Sequence, residues 1–333
     1  MTDPGIVFVT GSSGFVGRHI VHLLKERGYK VRALVRRPPT PEFDPSVELV
    51  IGDLTKPQTY VHALKGASAV VHSALTNRSS DDVEATCMLQ KSGAQAGVRK
   101  FIHLSSIVVY GNPREGTITE KTPPIPASDD YSRMKLAIED AIRTNREFGE
   151  VTVLRLGCVY GPGGGWWSRS LLEMMTCGNV ILVDGGAGMA NLIHVADVAS
   201  VALLPLERGN SPYDVFNVTD GMPVSWCSYF SELEGILGHR ATVSMCAADA
   251  RIYGRKWLHP SLTRRIARKL LGGRIIYPLD DAGIDGYLSR AIYSSAKAAS
   301  ELGFRPRYDL RTGIETIKSD WRAYSSVRNE SSS

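Results

Sequence analysis

Along the first half of the chain, short runs of β-branched and aliphatic residues alternate with longer stretches in which apolar positions recur at helical spacing. The runs at 6–9, 30–35, 47–50, 69–72, 101–104 and 151–154 read as strands. Between the first two, Val16, Ile20, Leu23 and Leu24 keep a helical period, and Gly28 after Arg27 reads as a C-terminal cap. Repeated strand, helix, strand is how a parallel sheet covered on both faces looks in sequence. The predicted class is α/β, a Rossmann-like doubly wound parallel sheet over residues 1–160 plus segments that return to it. From 161 to 325, Gly-rich loops (GPGGG, DGGAG) break up less regular helices and strands, which predicts a smaller, mixed C-terminal lobe. The closing NESSS marks 326–333 as a disordered tail.

Composition narrows the setting. With 333 residues and 43% hydrophobic content, the chain has material for a large core. Its net charge of +5 is mild and diffuse, enough to favour an anionic ligand but without the basic stripe that nucleic acid requires. Cys87, Cys158, Cys177, Cys227 and Cys246 are scattered with no Cys-x-x-Cys pair, so no metal site is assigned. The opening MTDPGIVFVTG leaves no room for a secretory leader, and no apolar run approaches membrane-spanning length. These features predict a cytoplasmic protein, and a homodimer is the expected assembly.

Directly after the first strand comes TGSSGFVG, with Gly11, Gly14 and Gly17 in Gly-x-x-Gly-x-x-Gly spacing ahead of the helix. Such a loop lets backbone approach a pyrophosphate, whose charge then sits at the positive end of the helix. Ser13, Phe15 and Val16 belong to the same loop, and Ser73 and Ala74 follow the fourth strand. At the end of the second strand, where a carboxylate would accept the ribose hydroxyls of NAD, stand Arg36 and Arg37. Guanidinium there suits a 2′-phosphate, so NADP(H) is favoured while NAD(H) stays open. Asp53 and Leu54, in GDL after the third strand, are placed to meet the adenine; a turn-forming Asp53 is the alternative.

Tyr131 and Lys135 are four apart on one face of a helix continuing through Leu136, Ile138 and Ile142. A nearby ammonium is expected to draw the phenol pKa down towards the range useful for proton transfer. Ser106, just past the fifth strand in FIHLSSIVVYG, offers a hydroxyl at the same sheet edge. With TGSSGFVG, GDL, VVHSA, FIHLSSIVVYG, YSRMK, LRLGCVYGPGG, NLIHVADVA, YDVFNVTDG and SSAKAASELGFRPR in order, the chain resembles the extended short-chain dehydrogenase/reductases, also called the NAD-dependent epimerase/dehydratase family. The resemblance covers nearly the whole length. It implies Tyr131 as acid/base, Lys135 lowering its pKa and binding the nicotinamide ribose, and Ser106 holding the substrate oxygen. Ser106 is chosen over Ser105 because it lies four residues before the Tyr of VVYG.

The departures bear on substrate. Leu156 stands where the family often has Pro, and Asp82 and Ala85 stand in the Asn and Gly places of the family's Asn-Val-x-Gly-Thr segment. Ser106-Ile107-Val108 replaces the Thr-Asp-Glu of sugar-nucleotide dehydratases, so acid-assisted dehydration lacks its residues. Ala190 replaces the Arg with which nucleotide-sugar enzymes grip a pyrophosphate, although Arg169 is near enough in sequence to substitute. Trp166, Trp167, Met174, Met175 and Met189 are soft apolar candidates for a cavity wall. His72 and His103 read as satisfied core-edge histidines, His194 as structural and Asp197 as a helix cap. The basic stretch 251–274 reads as a lobe helix with a solvated face in preference to a membrane-surface segment. The sequence thus favours a small-molecule oxidoreductase acting on a ketone or secondary alcohol, with a nucleotide-sugar epimerase and a non-catalytic dinucleotide sensor as alternatives.

Overall fold

The computed structural model describes residues 5–38, 44–76, 79–144, 148–209, 212–257 and 275–330. Its strands are β1 Ile6–Thr10, β2 Lys30–Val35, β3 Glu48–Ile51, β4 Ala67–His72, β5 Lys100–Ser106, β6 Thr117–Ile118, β7 Glu150–Leu156, β8 Cys158–Tyr160, β9 Gly178–Val183, β10 Leu192–His194, β11 Asp214–Val218, β12 Thr242–Met245, β13 Ile275–Tyr277 and β14 Ile292–Tyr293. The helices are α1 Phe15–Glu26, α2 Val61–Leu64, α3 Ser79–Gln95, α4 Asp130–Thr144, α5 Leu171–Cys177, α6 Val195–Leu203, α7 Trp226–Leu237, α8 Ala247–Trp257, α9 Asp281–Leu288 and α10 Leu310–Glu330.

Seven strands form one parallel sheet in the order β11-β7-β5-β4-β1-β2-β3. Each strand read from the sequence is present in it. The seventh, β11, was not among them; it returns from residue 214 to pair with β7, Asp214 opposite Thr152. Side-chain alternation along β1 divides the core between the two sheet faces. Val7 and Val9 join Ile20, Leu24, Val198 and Ala202 under α1 and α6, while Phe8 joins Leu89, Phe101, Ile138 and Ile142 under α3 and α4. The strand order reverses between β1 and β4, which opens a crevice at the carboxyl edge of the sheet.

The later part of the chain adds a parallel three-stranded sheet, β12-β9-β13, and a separate core in which Leu172, Met175, Trp226, Phe230, Ile314 and Ile317 bring α5, α7 and α10 together. Helix α10 continues to Glu330. Residues 326–330, expected as part of a disordered tail, therefore extend a helix that Ile314 and Ile317 anchor in the lobe core; 331–333 lie outside the described residues. No described helix is long and apolar enough to cross a membrane.

Helix α1 starts tight against the exit of β1. A Cβ on Gly17 would sit 2.0 Å from the Gly11 carbonyl oxygen and 2.7 Å from its carbon, both backbone atoms that cannot swing aside. Gly17→Ala should therefore push the helix off the strand and lower the unfolding free energy by about 1–3 kcal/mol, the usual cost of overpacking. Urea unfolding of the two proteins measures this, and equal midpoints would show that the contact is not close in solution.

Candidate active site

The loop between β1 and α1 is built for an anion. Gly11 has φ +67°, and a Cβ on it would meet the Ser73 hydroxyl and the Ala74 amide nitrogen at 2.7 Å. Gly14 precedes the first turn of α1, which carries no acidic residue and no side-chain cap, so its amides are open to a phosphate. Ser13 is exposed at the turn, and Ser73 donates its hydroxyl to the Thr10 carbonyl at 2.8 Å, holding the β4 exit against β1. These residues fit a dinucleotide pyrophosphate.

Arg36 and Arg37 lie exposed just beyond β2. The Asp53 carboxylate accepts from the Thr55 amide (3.0 Å) and hydroxyl (2.8 Å), and these bonds, with a smaller contribution from Arg36, hold its pKa below the usual value. Asp53 is thus engaged in a turn. The Leu54 side chain is buried with Leu34, Tyr60 and Leu64 in the core.

Helix α4 is capped by Asp129, which accepts from the Ser132 amide at 2.8 Å and its hydroxyl at 2.7 Å. The cap fixes where the first turn begins and so where Tyr131 points. The ring keeps 45% of its surface exposed and lines a cleft at the carboxyl edge of the sheet. Burial nevertheless pushes the Tyr131 phenol above its ordinary 10.0, while a hydrogen bond with Ser106 pulls the other way. The expected lowering by Lys135 is not seen, because burial dominates; the ammonium donates to the Leu104 carbonyl at 3.0 Å and lies 5.9 Å from the ring centroid. Desolvation brings Lys135 itself down to about 8, against the opposing charges of Asp82 and Glu139. Ser106 Oγ accepts from the Val108 amide at 3.3 Å. Ser105, in contrast, is buried and donates to Glu139, which is in turn paired with Arg155 through Nη2 at 2.6 Å.

Phe15, Val16, Ser73, Ser106, Tyr131 and Lys135 all line this one cleft, of about 650 Å³. Its other walls include Ile107, Val108, Trp166, Trp167, Met189 and Trp226. Met174 and Met175 do not reach it; they pack in the lobe core. Among the described residues Lys135 is the cleft's only cation, whereas Asp129 and Asp280 line it as acids. Arg169 is held elsewhere, its Nη2 donating to both carboxylate oxygens of Asp320 (3.0 and 2.9 Å) and its guanidinium 4.5 Å from the Tyr324 ring centroid. Leu156 ends β7 as a buried sheet residue, and buried Asp82 accepts from the Thr76 amide at 2.5 Å, pinning the loop after β4. Sequence reasoning missed Asp129, although an Asp directly before a helical run is a cap signal, and it missed Cys158, Tyr287 and Tyr293, which give no local signal.

The histidines divide. His72 is hydrogen-bonded to Thr10 (2.7 Å) and Thr86 (3.0 Å), but buried His103 has no partner at either ring nitrogen among the described residues. The cap of α6 is His194, accepting from the Ala196 amide, while Asp197 accepts the amides of Arg307 and Tyr308 at 3.0 and 3.1 Å. Of the basic stretch, 251–257 ends α8, with Arg251 paired to Asp281 and Asp285; 258–274 lie outside the described residues.

Fold and site together define a nicotinamide-dinucleotide oxidoreductase built on a Rossmann sheet. The model of the NAD dependent epimerase/dehydratase family matches residues 7–219, and the chain belongs to that family. It is 27% identical over 336 residues to a 3-beta-hydroxysteroid dehydrogenase of Mycolicibacterium neoaurum, covering 92% of this chain and 88% of that one. It is 25% identical over 334 residues to a 4-hydroxy-2-methyl-3-oxo-4-farnesyl-3,4-dihydroquinoline-1-oxide ketoreductase of Stigmatella aurantiaca, covering 93% and 95%. Among solved structures, MoeE5 in complex with UDP-glucuronic acid and NAD superposes with a TM-score of 0.73 at 25% identity, covering 96% of this chain and all of that one.

The buried ammonium gives the protein a pH signature. Lys135 has a folded pKa of about 8 against an ordinary 10.5, so between those values the unfolded chain binds the extra proton and stability rises with pH. Wild type should gain about 3 kcal/mol relative to Lys135→Met as pH climbs from below 8 to above 10.5. Urea unfolding of both proteins across that range tests it; parallel curves would mean that the lysine is not desolvated.

Proposed function

We propose that the protein transfers hydride between a nicotinamide dinucleotide and a ketone or secondary alcohol of a partly apolar substrate that carries no nucleotide. The observation that carries this reading is the cleft wall. Around Ser106, Tyr131 and Lys135 stand Trp166, Trp167, Trp226, Met189, Ile107 and Val108, with no described cation other than Lys135. A nucleotide sugar brings a diphosphate, and the described wall offers it the carboxylates of Asp129 and Asp280 but, among the described residues, no guanidinium. Relatives named for a hydroxysteroid and for a farnesyl-bearing quinoline ketone support an apolar substrate.

The dinucleotide supplies or accepts the hydride when bound. Ser106 donates to the substrate oxygen and fixes its distance from Tyr131. The Tyr131 phenol, kept neutral by burial, gives its proton to that oxygen in reduction and takes it back in oxidation. Lys135 places a positive charge beside the ring in a poorly solvated site, where it stabilises a developing phenolate more than it would in water. Five unpaired thiols suit a reducing cytoplasm.

A panel of apolar ring ketones assayed with reduced cofactor tests the reading. Turnover is expected on at least one of them, and Tyr131→Phe should lower it by roughly 10² to 10⁴ while cofactor affinity holds. Near-normal turnover in the variant would remove Tyr131 as the acid/base. Specific calorimetric binding of UDP to the cofactor-loaded protein would instead favour a nucleotide-sugar epimerase.

The preferred cofactor is NADP(H), a choice supported by Arg36 and Arg37 standing exposed where the β2 exit would meet the adenosine ribose. Arg36→Ala should cost about 1.5–3 kcal/mol of NADPH affinity and little of NADH affinity. Fluorescence titration of both cofactors reads this out, and equal wild-type affinities would assign NAD(H).

A further inference from the structure

Of the six buried tyrosines among the described residues, all but Tyr29 hydrogen-bond to the protein through the hydroxyl. Tyr60 donates to the Leu54 carbonyl, Tyr110 to Asn217, Tyr160 to the Asp309 carbonyl, Tyr229 to the Trp167 carbonyl and Tyr293 to the Gly111 carbonyl. Tyr287 does not. Its hydroxyl makes no hydrogen bond to any described residue, yet the side chain lines the same cleft as Tyr131. Cys158 lines the same cleft as both phenols.

The ring is held for this purpose. It packs edge-on to Trp226 with centroids 4.8 Å apart, lies 5.9 Å from Phe230 and meets Trp167 edge-on at 6.4 Å. Its backbone is fixed as well, since a Cβ on Gly188 would lie 2.0 Å from the Tyr287 carbonyl oxygen. Next along the chain, the Met189 amide donates to the Ser289 carbonyl at 2.7 Å, and the Asn112 amide donates to the Ala282 carbonyl at 2.9 Å, tying down both ends of α9. Burial pushes the phenol above its ordinary value, so it presents a proton to its surroundings. A preorganised donor on the cleft wall, with no protein acceptor among the described residues, rewards a ligand that accepts from it. Ala282, Gly283 and Gly286 line the cleft on the same helix and leave space before it.

We propose that Tyr287 is a specificity-determining residue that donates a hydrogen bond to a second oxygen of the substrate, remote from the carbon that exchanges hydride. The substrate class is then an apolar ring system with two oxygens, one reacting at Tyr131 and one accepting from Tyr287. This inference rests on the proposed oxidoreductase reading.

The test compares decalone with the matched decalindione whose second carbonyl is on the far ring, using wild type, Tyr287→Phe and Tyr131→Phe with reduced cofactor. Wild type should prefer the diketone by on the order of tenfold in kcat/KM. Tyr287→Phe keeps the ring and its packing, so Tm and cofactor affinity should match wild type; it should raise KM for the diketone about tenfold and leave decalone within twofold. Equal losses on both ketones, no loss on either, or a wild-type preference for decalone would overturn the role of Tyr287 while leaving the oxidoreductase reading in place. If wild type reduced neither these nor any other ketone, or Tyr131→Phe kept full turnover, the oxidoreductase reading itself would fall.

Discussion

The catalytic edge of this protein depends on how closely one helix can approach one strand. Because Gly17 offers no side chain to the Gly11 carbonyl, α1 begins directly at the exit of β1 and its amides face the crevice where the strand order reverses. The lobe is joined to the sheet domain at the same place. His19, one turn along α1, is hydrogen-bonded to the Pro162 carbonyl at 3.0 Å, so the loop that leads into Trp166 and Trp167 is registered against the phosphate-binding helix. The glycine loop and the segment leading to Trp166 and Trp167 are therefore both registered against α1.

Behind the cleft, a buried ion pair orients helix α4, which carries Tyr131 and Lys135. Arg155 on β7 donates through Nε and Nη2 to Glu139 on α4 and through Nη1 to Tyr110, which in turn donates to Asn217 on β11. Ser105 donates to the same carboxylate. Such a pair repays its desolvation only when every donor and acceptor is used, and its contribution is to register as much as to stability. Here it sets the turn of α4 carrying Lys135 against the end of β5 carrying Ser106.

Much of this was legible in the sequence because it is written locally. The glycine spacing, the strand runs and the Tyr131, Lys135 interval are short-range patterns, and each has a geometric meaning that holds whatever surrounds it. What the sequence left open depends on partners far away along the chain. Strand β11 (Val215, Phe216 and Val218) carries a short strand-like run, but its place in the sheet is fixed only by its pairing with β7, reached after the long stretch of chain from Leu156 to Asp214. Arg169 looked available for a substrate phosphate until Asp320, 151 residues later, was seen to hold it. The direction of the Tyr131 shift was also out of reach, since desolvation is a property of the assembled cleft, and so was the unsatisfied hydroxyl of Tyr287.

Three buried neutral histidines, two in the seven-stranded sheet and one capping α6, have a consequence for survival in acid. Burial lowers His72 to about 3, His103 well below its ordinary 6.5, and His194 to about 4. All three remain uncharged in the folded protein while the unfolded chain would protonate them from about 6.5 downward. Mild acid therefore acts on this protein as a ligand for its unfolded state, with each histidine taking up a proton as the chain opens. The buried histidines thus add their own proton uptake to whatever the surface carboxylates contribute to acid unfolding.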